Sequence, residues 1–418
     1  MNKLSEDPNF HYEALRSLGL ARYGGSDVAE QLAILPKIKP GDPESWYEEW
    51  EALAQRVLSS ANEDNGKIPM SPTSLCDMYF RASHYFFVAD FFIHGNQADP
   101  RLRQSFDLWR KYFDKANALL PVPGQHAVVK TGNGFDVPII IYQAPPQATV
   151  VAAGSSSSQS PPRPTLLVGG GFDSNYEETY HAFAVPALDR GYNVIIYEGP
   201  GQPSLLHTQK VGFIAEWEKV VSPILDYIEE QQAKSQLSFI DFKKIGLIGW
   251  SLGGYLSARA AAFEPRLAAV MCIDGVWSFQ DCIGQIFPDA MAAFRRGDRE
   301  ACDAAFEKDY TQNTNRRWFH DHAKFSFQRQ SAFEILQITD KMSLDGGIAE
   351  KIKIPALIAE ALDDIFFAGQ PERVAQTIGA NAYLVSFGDK HAASAHCHSG
   401  AFSYANAKIM DWFGHVTR

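Results

Sequence analysis

The sequence has few of the features that mark membrane proteins or nucleic-acid-binding proteins. It contains no apolar run of about 18 residues, which a transmembrane helix would need, and the polar segment Met1–Phe10 lacks the apolar stretch of a signal peptide. Lys and Arg form no basic patch, and the net charge of −11 disfavours binding to nucleic acid or to an anionic membrane surface. These absences predict a cytoplasmic protein whose partner is a small molecule, with no nucleic-acid and no membrane partner.

Cysteine is also scarce, with five residues and no Cys-x-x-Cys pair. An odd number without metal-ligand spacing favours neither a disulfide framework nor a zinc site. The pair His320 and His322 has no third ligand nearby in the sequence, so a solvated loop is favoured over a metal site there. The sequence therefore predicts no metal.

What the chain does have is length and apolar content, with 418 residues of which 45% are hydrophobic. That is enough for one large domain and an accessory domain. Helical spacing and cap residues fill the first 120 residues, and the predicted helices there are Ser45–Ser60, Ser71–His94 and Asp99–Leu119. From residue 121 onward strands alternate with helices, which predicts a mostly parallel sheet with helices on both faces. The strand pattern stops over residues 275–353, where we expect a helical insert that acts as a lid.

Two stretches interrupt this pattern without adding chemistry. Gly132-Asn133-Gly134 separates two β-branched runs and predicts a hairpin. The Ser- and Pro-rich tract Gly154–Pro164 is predicted to be a surface loop.

The most informative stretch is an apolar run, Lys244–Trp250, that leads into Gly-x-Ser-x-Gly around Ser251. Gly249 and Gly253 supply small residues two before and two after the serine, as a sharp strand-to-helix turn requires. The following segment, Leu252–Phe263, is rich in helix-forming residues. Strand, turn and helix together predict a nucleophile elbow, with Ser251 as the nucleophile.

A serine hydroxyl is a weak nucleophile at neutral pH and needs a histidine base, which an acid orients. In enzymes with this elbow the acid and then the histidine follow the serine, each after a late strand. Asp364 is the favoured acid, and Asp363 is the alternative. The loop after the last strand holds three candidate histidines, His391, His396 and His398. Order and spacing do not distinguish His391 from His396.

Two backbone N–H groups are expected to bind the oxyanion, one from Leu252 and one from the glycine loop Gly169–Phe172. The predicted substrate contacts are Gly171, Asp173, Trp250 and Tyr85. Tyr85 lies in an aromatic-rich helical segment whose rings fit a helix–helix core better than a substrate pocket, although both roles are compatible if the inner face covers the site.

Further motifs accompany the elbow from about residue 75 to the C-terminus. They are Gly170-Gly-Phe-Asp-Ser174 with Glu178, Tyr197-Glu-Gly-Pro-Gly-Gln202, Asp274-Gly-Val276, Asp364-Ile-Phe-Phe-Ala-Gly-Gln370 and Ala395-His-Cys397. Together with the elbow, this set resembles the two-domain α/β hydrolases that include the bacterial pseudooxynicotine C–C hydrolase and fungal polyketide-modifying hydrolases such as the heptaketide-shortening enzymes of melanin pathways.

The resemblance implies an α/β-hydrolase fold with a helical N-terminal cap domain over residues 1–120 and a catalytic domain over residues 121–418. It implies Ser251 as nucleophile, Asp364 as acid and His396 as base, with the oxyanion held at Phe172 and Leu252.

The implied reaction is cleavage of a C–C bond (retro-Claisen) or an ester bond of a polyketide or β-dicarbonyl substrate through an acyl-enzyme, without a cofactor. Three alternatives stay open, namely a cyclase or acyltransferase that uses the same triad, a general carboxylesterase, and a non-catalytic binding protein. A homodimer is also left open.

Overall fold

The computed structural model describes residues 3–61, 68–145 and 161–418. Gly154–Ser160, most of the tract predicted to be a surface loop, lies outside these ranges. Five helices precede the first strand: α1 (Pro8–Gly19), α2 (Val28–Ile34), α3 (Pro43–Ser59), α4 (Pro72–Asp90) and α5 (Pro100–Ala118). The predicted helical N-terminal region is therefore confirmed, whereas the division into two domains at residue 120 stays a prediction.

Side-chain caps fix where the long N-terminal helices begin. The carboxylate of Asp42 accepts from the backbone amides of Glu44 and Ser45, so α3 begins at Pro43 rather than at Ser45. Ser71 and Asp99 cap α4 and α5 in the same way, and each is followed by proline at the first helical position. The predicted start at Ser45 is two residues late because Asp42 caps the helix, whereas the Ser45 hydroxyl accepts from the backbone amide of Lys39.

The rest of the chain alternates between strands and helices. The strands are β1 (Gln125–Lys130), β2 (Asp136–Tyr142), β3 (Arg163–Gly169), β4 (Asn193–Tyr197), β5 (Ile240–Trp250), β6 (Ala269–Ile273), β7 (Ala356–Ala361) and β8 (Ala382–Phe387). The helices between and after them are α6 (Tyr176–Thr179), α7 (Val185–Asp189), α8 (Pro203–Thr208), α9 (Glu218–Ala233), α10 (Gly253–Phe263), α11 (Phe279–Ile286), α12 (Pro288–Arg295), α13 (Arg299–Asp309), α14 (Thr314–Phe327), α15 (Ala332–Thr339), α16 (Gln370–Ile378) and α17 (Phe402–Val416).

The strands form one sheet of eight in the order β1-β2-β4-β3-β5-β6-β7-β8. The first two strands form the predicted hairpin, and β2 also pairs antiparallel with β4, whereas all other neighbours are parallel. Every residue of β4, β6 and β7 is buried, as expected for strands covered by helices on both faces. The predicted fold class is confirmed.

The parallel strands place several of their connecting loops at one edge of this sheet. The carboxyl ends of β5, β6, β7 and β8 point the same way, so the loops that follow them meet there. The helical insert α11–α15 follows β6, as the missing strand pattern predicted. Among the described helices, none combines the length and apolarity that crossing a bilayer demands.

Candidate active site

Ser251 occupies a strained turn between β5 and α10. Its φ of 58° lies in the left-handed region, where a residue other than glycine is uncommon. The turn leaves no room for side chains on either side: a Cβ at Gly249 would overlap the carbonyl oxygen of Gly253, and one at Gly253 would lie 2.8 Å from the carbonyl oxygen of Gly170. These contacts explain why the sequence has glycine two residues before and after the serine.

The histidine beside the serine is His396, in the loop between β8 and α17. Its Nε2 lies 2.9 Å from Ser251 Oγ, and its side chain is buried. His391 is exposed and stacks on Tyr404, with 4.2 Å between ring centroids. His398 is buried, and its Nδ1 lies 3.1 Å from the carbonyl oxygen of Ala393. Of the three candidates, the structure therefore brings only His396 to the serine.

Two carboxylates face the other nitrogen of His396. Nδ1 lies 3.1 Å from Asp364 Oδ2 and 2.8 Å from Asp274 Oδ2. Asp364 is held by the backbone amides of Phe366 and Phe367, which donate to its Oδ1. Asp363, the alternative acid, is exposed and does not approach the histidine in this way.

Asp274 is a site residue that the sequence analysis did not identify. It follows β6 with a φ of 61°, is fully buried, and accepts a hydrogen bond of 2.7 Å from the backbone amide of Cys397. Its motif, Asp274-Gly-Val276, contributed to the family resemblance, but nothing in its spacing distinguished it from a turn residue. Only the parallel pairing of β6 with β5 and β7 shows that it lies next to Asp364 and His396.

These carboxylates determine the proton affinity of the imidazole. Burial alone would lower the pKa of His396, but the negative charge of Asp364, and to a smaller extent that of Asp274, raises it well above the ordinary value. Burial would raise the pKa of Asp274, but the facing imidazolium of His396 lowers it below the ordinary value. In its neutral form His396 therefore binds a proton readily, which makes it a strong base toward Ser251.

The predicted oxyanion donors lie on either side of the serine. No acceptor in the described ranges is hydrogen-bonded to the backbone amide of Phe172 or of Leu252, so both amides are available to a ligand. Gly171 lies against the elbow, because a Cβ there would lie 2.7 Å from the carbonyl oxygen of Trp250 and 2.9 Å from the backbone nitrogen of Leu252. Gly171 therefore allows the glycine loop to approach the elbow.

Ser251 and His396 line one cavity. One wall is aromatic, and its rings are Phe172, Phe279, Trp318, Phe319, Phe366 and Phe367. The lining also includes polar residues, namely Tyr12, Glu13, Arg16, Asp173 and Ser174. A mostly apolar wall with a few polar groups is typical of a site that binds a small organic molecule.

Two of the four predicted substrate contacts line this cavity, Asp173 and Trp250. Tyr85 does not. It is fully buried among the N-terminal helices, where its hydroxyl donates to Glu30 and accepts from the amide of Asp27. We therefore withdraw Tyr85 as a substrate contact: the aromatic density of α4 belongs to the helical core.

The insert also differs from expectation. His320, Asp321 and His322 were predicted to form a solvated loop, but they lie on α14 and are buried. His322 Nε2 lies 3.0 Å from the carbonyl oxygen of Phe172, so α14 contacts the residue whose amide is a predicted oxyanion donor. The aromatic residues of α14 explain the burial, because they pack the helix against the cavity wall.

The N-terminal helix α1 supplies three cavity residues that the sequence analysis missed, Tyr12, Glu13 and Arg16. The Tyr12 hydroxyl lies 3.3 Å from the carbonyl oxygen of His396 and 3.2 Å from Ser399 Oγ. Their regular spacing on one helix was visible in the sequence, but no local pattern indicates which distant loop that helix contacts.

One group of described residues has donor atoms close enough to share a metal ion, namely Asp274, His396 and Cys397. The two nitrogens of His396 already face the serine on one side and carboxylates on the other. These contacts suit proton transfer between a serine, a histidine and an acid.

Comparison with known proteins gives consistent matches over most of the chain. The model of the alpha/beta hydrolase family matches residues 166–399. Hydrolase LUC6 from Fusarium sp is 32% identical over 397 residues, which cover 94% of this chain and 90% of that protein. The 20-hydroxy-prefusarin hydrolase FUS2 from Gibberella moniliformis is 30% identical with the same coverage.

Among solved structures, the 2,6-dihydroxy-pseudo-oxynicotine hydrolase aligns with a TM-score of 0.67 and 19% identity, covering 96% of this chain and 95% of that one. AbyA5 aligns with a TM-score of 0.60 and 16% identity, covering 94% of each chain. At these identities the structural matches establish a shared fold alone.

Proposed function

From the premise that the chain belongs to the alpha/beta hydrolase family, we propose that it is a serine hydrolase of fungal secondary metabolism. Its substrate is a polyketide or other β-dicarbonyl compound, in which it cleaves a C–C bond by a retro-Claisen reaction or cleaves an ester. The observation that carries this proposal is the 2.9 Å contact between Ser251 Oγ and His396 Nε2 at the wall of an aromatic cavity. The similarity to a hydrolase named for 20-hydroxy-prefusarin supports the substrate class.

In the first half of the reaction His396 removes the proton of Ser251, and the serine oxygen attacks a carbonyl carbon of the substrate. Asp364 and Asp274 stabilise the imidazolium that results. The tetrahedral oxyanion accepts hydrogen bonds from the amides of Phe172 and Leu252. Collapse of the intermediate forms an acyl-enzyme and expels an enolate or an alkoxide.

In the second half water attacks the acyl-enzyme. His396 takes a proton from the water, and the new oxyanion collapses as Ser251 leaves and regains its proton. The products are a carboxylic acid and a ketone, or an acid and an alcohol. A cyclase would instead use a nucleophile within the acyl group, and turnover in isotopically labelled water distinguishes the two outcomes by the label in the product acid.

The test is intact-mass spectrometry after incubation with a fluorophosphonate, which forms a stable adduct with an activated serine. We expect one adduct on the wild-type protein and none on Ser251→Ala. Asp363→Asn is a matched control, because this exposed carboxylate lies next to Asp364 in sequence and should not affect labelling. Equal labelling of the wild type and Ser251→Ala would refute the proposed nucleophile, and no labelling of the wild type would refute the serine mechanism.

A further inference from the structure

Beside the serine, the cavity contains a charged cluster that the proposed mechanism does not use. It is centred on Arg16 of α1, whose side chain is buried. The Arg16 guanidinium faces three carboxyl groups, those of Glu13, Asp173 and Glu178. Glu13, Arg16 and Asp173 line the same cavity as Ser251 and His396. One positive group thus faces three acids in a region with little solvent.

The three acids are not equally well compensated. Glu178 takes the two strongest contacts, because Arg16 Nε and Nη2 donate to its two oxygens at 2.5 and 2.6 Å. Glu13 and Asp173 share the remaining nitrogen, Nη1, at 3.2 Å each. Within the described residues, neither Glu13 nor Asp173 has another hydrogen bond to its carboxyl group, so both acids are less well compensated than Glu178.

Burial raises the pKa of Glu13 to about 8, and the neighbouring carboxylates Asp173 and Glu178 add to the effect, while Arg16 and His396 oppose it. With one guanidinium for three buried acids, the raised pKa favours the protonated form of Glu13, whose side chain lines the cavity with 11% of its surface exposed. A protonated carboxyl group in contact with a substrate cavity can act as a general acid.

The leaving group of the proposed reaction needs a proton donor other than His396. The two carboxylates beside His396 make the imidazole a strong base, and for the same reason they make its imidazolium a weaker acid toward a leaving group. The enolate or alkoxide that leaves the tetrahedral intermediate nevertheless needs a proton.

We propose that Glu13 is the general acid that protonates the leaving group when the C–C or ester bond breaks. This inference rests on the proposed function. As the bond breaks, its electron pair stays on the leaving carbon or oxygen, which takes the proton of the Glu13 carboxyl group, and Glu13 becomes a carboxylate. The imidazolium of His396, which holds the serine proton, then gives up that proton and Glu13 regains one through solvent in the cavity. Neutral His396 is thereby ready to deprotonate water.

The experiment compares substrates that differ in their need for a proton. The variant is Glu13→Gln, whose amide oxygen can still accept from Arg16 but whose side chain cannot donate a proton as an acid. The probes are p-nitrophenyl butyrate, which expels a stable phenolate, and ethyl butyrate and benzoylacetone, which expel basic anions. The measured quantity is kcat/KM, because it reports the acylation step in which the leaving group departs.

We expect Glu13→Gln to lower kcat/KM by about 100-fold for ethyl butyrate and benzoylacetone, a typical contribution of a general acid. The value for p-nitrophenyl butyrate should stay close to that of the wild type. The decline of wild-type kcat/KM at high pH, where Glu13 loses its proton, should be absent from the variant.

Glu177→Gln is the matched control. Burial also raises the pKa of Glu177 to about 8, but this residue does not line the cavity, so the variant should behave as the wild type with all three probes. Equal losses with all three probes in Glu13→Gln would overturn the inference, since they would indicate a distorted site. Unchanged activity in Glu13→Gln would also overturn it and would leave the proposed function intact, whereas a wild type inert toward every probe would overturn both.

Discussion

The Nε2 atom of His322 lies 3.0 Å from the carbonyl oxygen of Phe172, and this contact connects the helical insert to the proposed oxyanion hole. Burial lowers the pKa of His322, so its ring is neutral and can donate one N–H to that carbonyl oxygen. Phe172 is also the residue whose backbone amide is predicted to bind the oxyanion. A residue of the insert thus helps to fix the orientation of a group in the core.

We predict that His322→Phe, which keeps a ring but loses the donor, lowers kcat by roughly 10- to 100-fold with little change in KM, because a misplaced catalytic group costs about that much. His322→Gln can still donate from its side-chain amide and should recover most of the activity. Steady-state kinetics of the two variants provide the check. Equal activity in His322→Phe and the wild type would show that the loop keeps its orientation without this contact.

The two carboxylates beside His396 predict a shift in pH dependence. Asp274→Asn removes a negative charge, so the pKa of His396 falls and the acidic limb of the kcat/KM profile moves to lower pH. Asp364→Asn should move it in the same direction and further, because Asp364 contributes more to the pKa of His396. A limb that moved to higher pH in either variant would contradict the arrangement.

The same pair predicts losses of activity that are not additive. Either carboxylate alone can orient the imidazole, so each single asparagine variant should keep much more activity than the double variant, whose loss should approach about 10⁴-fold. The measurement is kcat for the wild type, both single variants and the double variant. If Asp364→Asn alone lost as much as the double variant, Asp274 would have no orienting role.

Glu177 predicts a pH dependence of stability. Both of its carboxyl oxygens are buried without a hydrogen bond among the described residues, and its pKa rises from 4.5 to about 8 on folding. Between these values the folded state binds a proton that the unfolded state has released, so this group lowers the free energy of unfolding as pH rises. Glu177→Gln removes the effect, and its advantage over the wild type should grow by roughly 1 kcal/mol per pH unit across that window. Urea unfolding at several pH values tests this, and a constant difference would refute it.

At the elbow, we expect one added methyl group to lower both the stability of the protein and its labelling. Gly249→Ala would place a Cβ against the carbonyl oxygen of Gly253, so we expect a loss of about 1–3 kcal/mol in stability and loss of fluorophosphonate labelling. Gly284→Ala on α11 is the control, because its Cβ would meet nothing closer than 3.4 Å and alanine favours a helix. Thermal unfolding of both variants should separate them. Normal labelling of Gly249→Ala would show that the turn tolerates the methyl group.

The sequence predicted the parts of the site that depend on local pattern. The strand, turn and helix around Ser251 are contiguous, and the late acid and histidine follow strands that have a clear apolar pattern. The structure places Asp364 and His396 in contact. Order alone left His391 and His396 undistinguished, and only the family resemblance favoured His396.

The missed residues have a common physical cause, since each reaches the cavity through tertiary packing. Glu13 contacts Arg16 locally, but Arg16 also contacts Asp173, which lies 157 positions later in the chain. Tyr85 was assigned to the substrate because an aromatic-rich helix has the same sequence pattern whether its rings face a core or a cavity. Hydrophobic periodicity shows which face of a helix is buried, but it does not show which element or cavity that face contacts.

The contacts of Tyr12 with His396 and Ser399 join one of the earliest helices of the chain to one of its last loops. During synthesis on the ribosome, Tyr12 gains these two partners only after the segment that follows β8 has emerged. A nascent chain can therefore build most of its sheet while it is still inactive. Catalytic activity appears only once the C-terminal loop has been translated and has docked on α1.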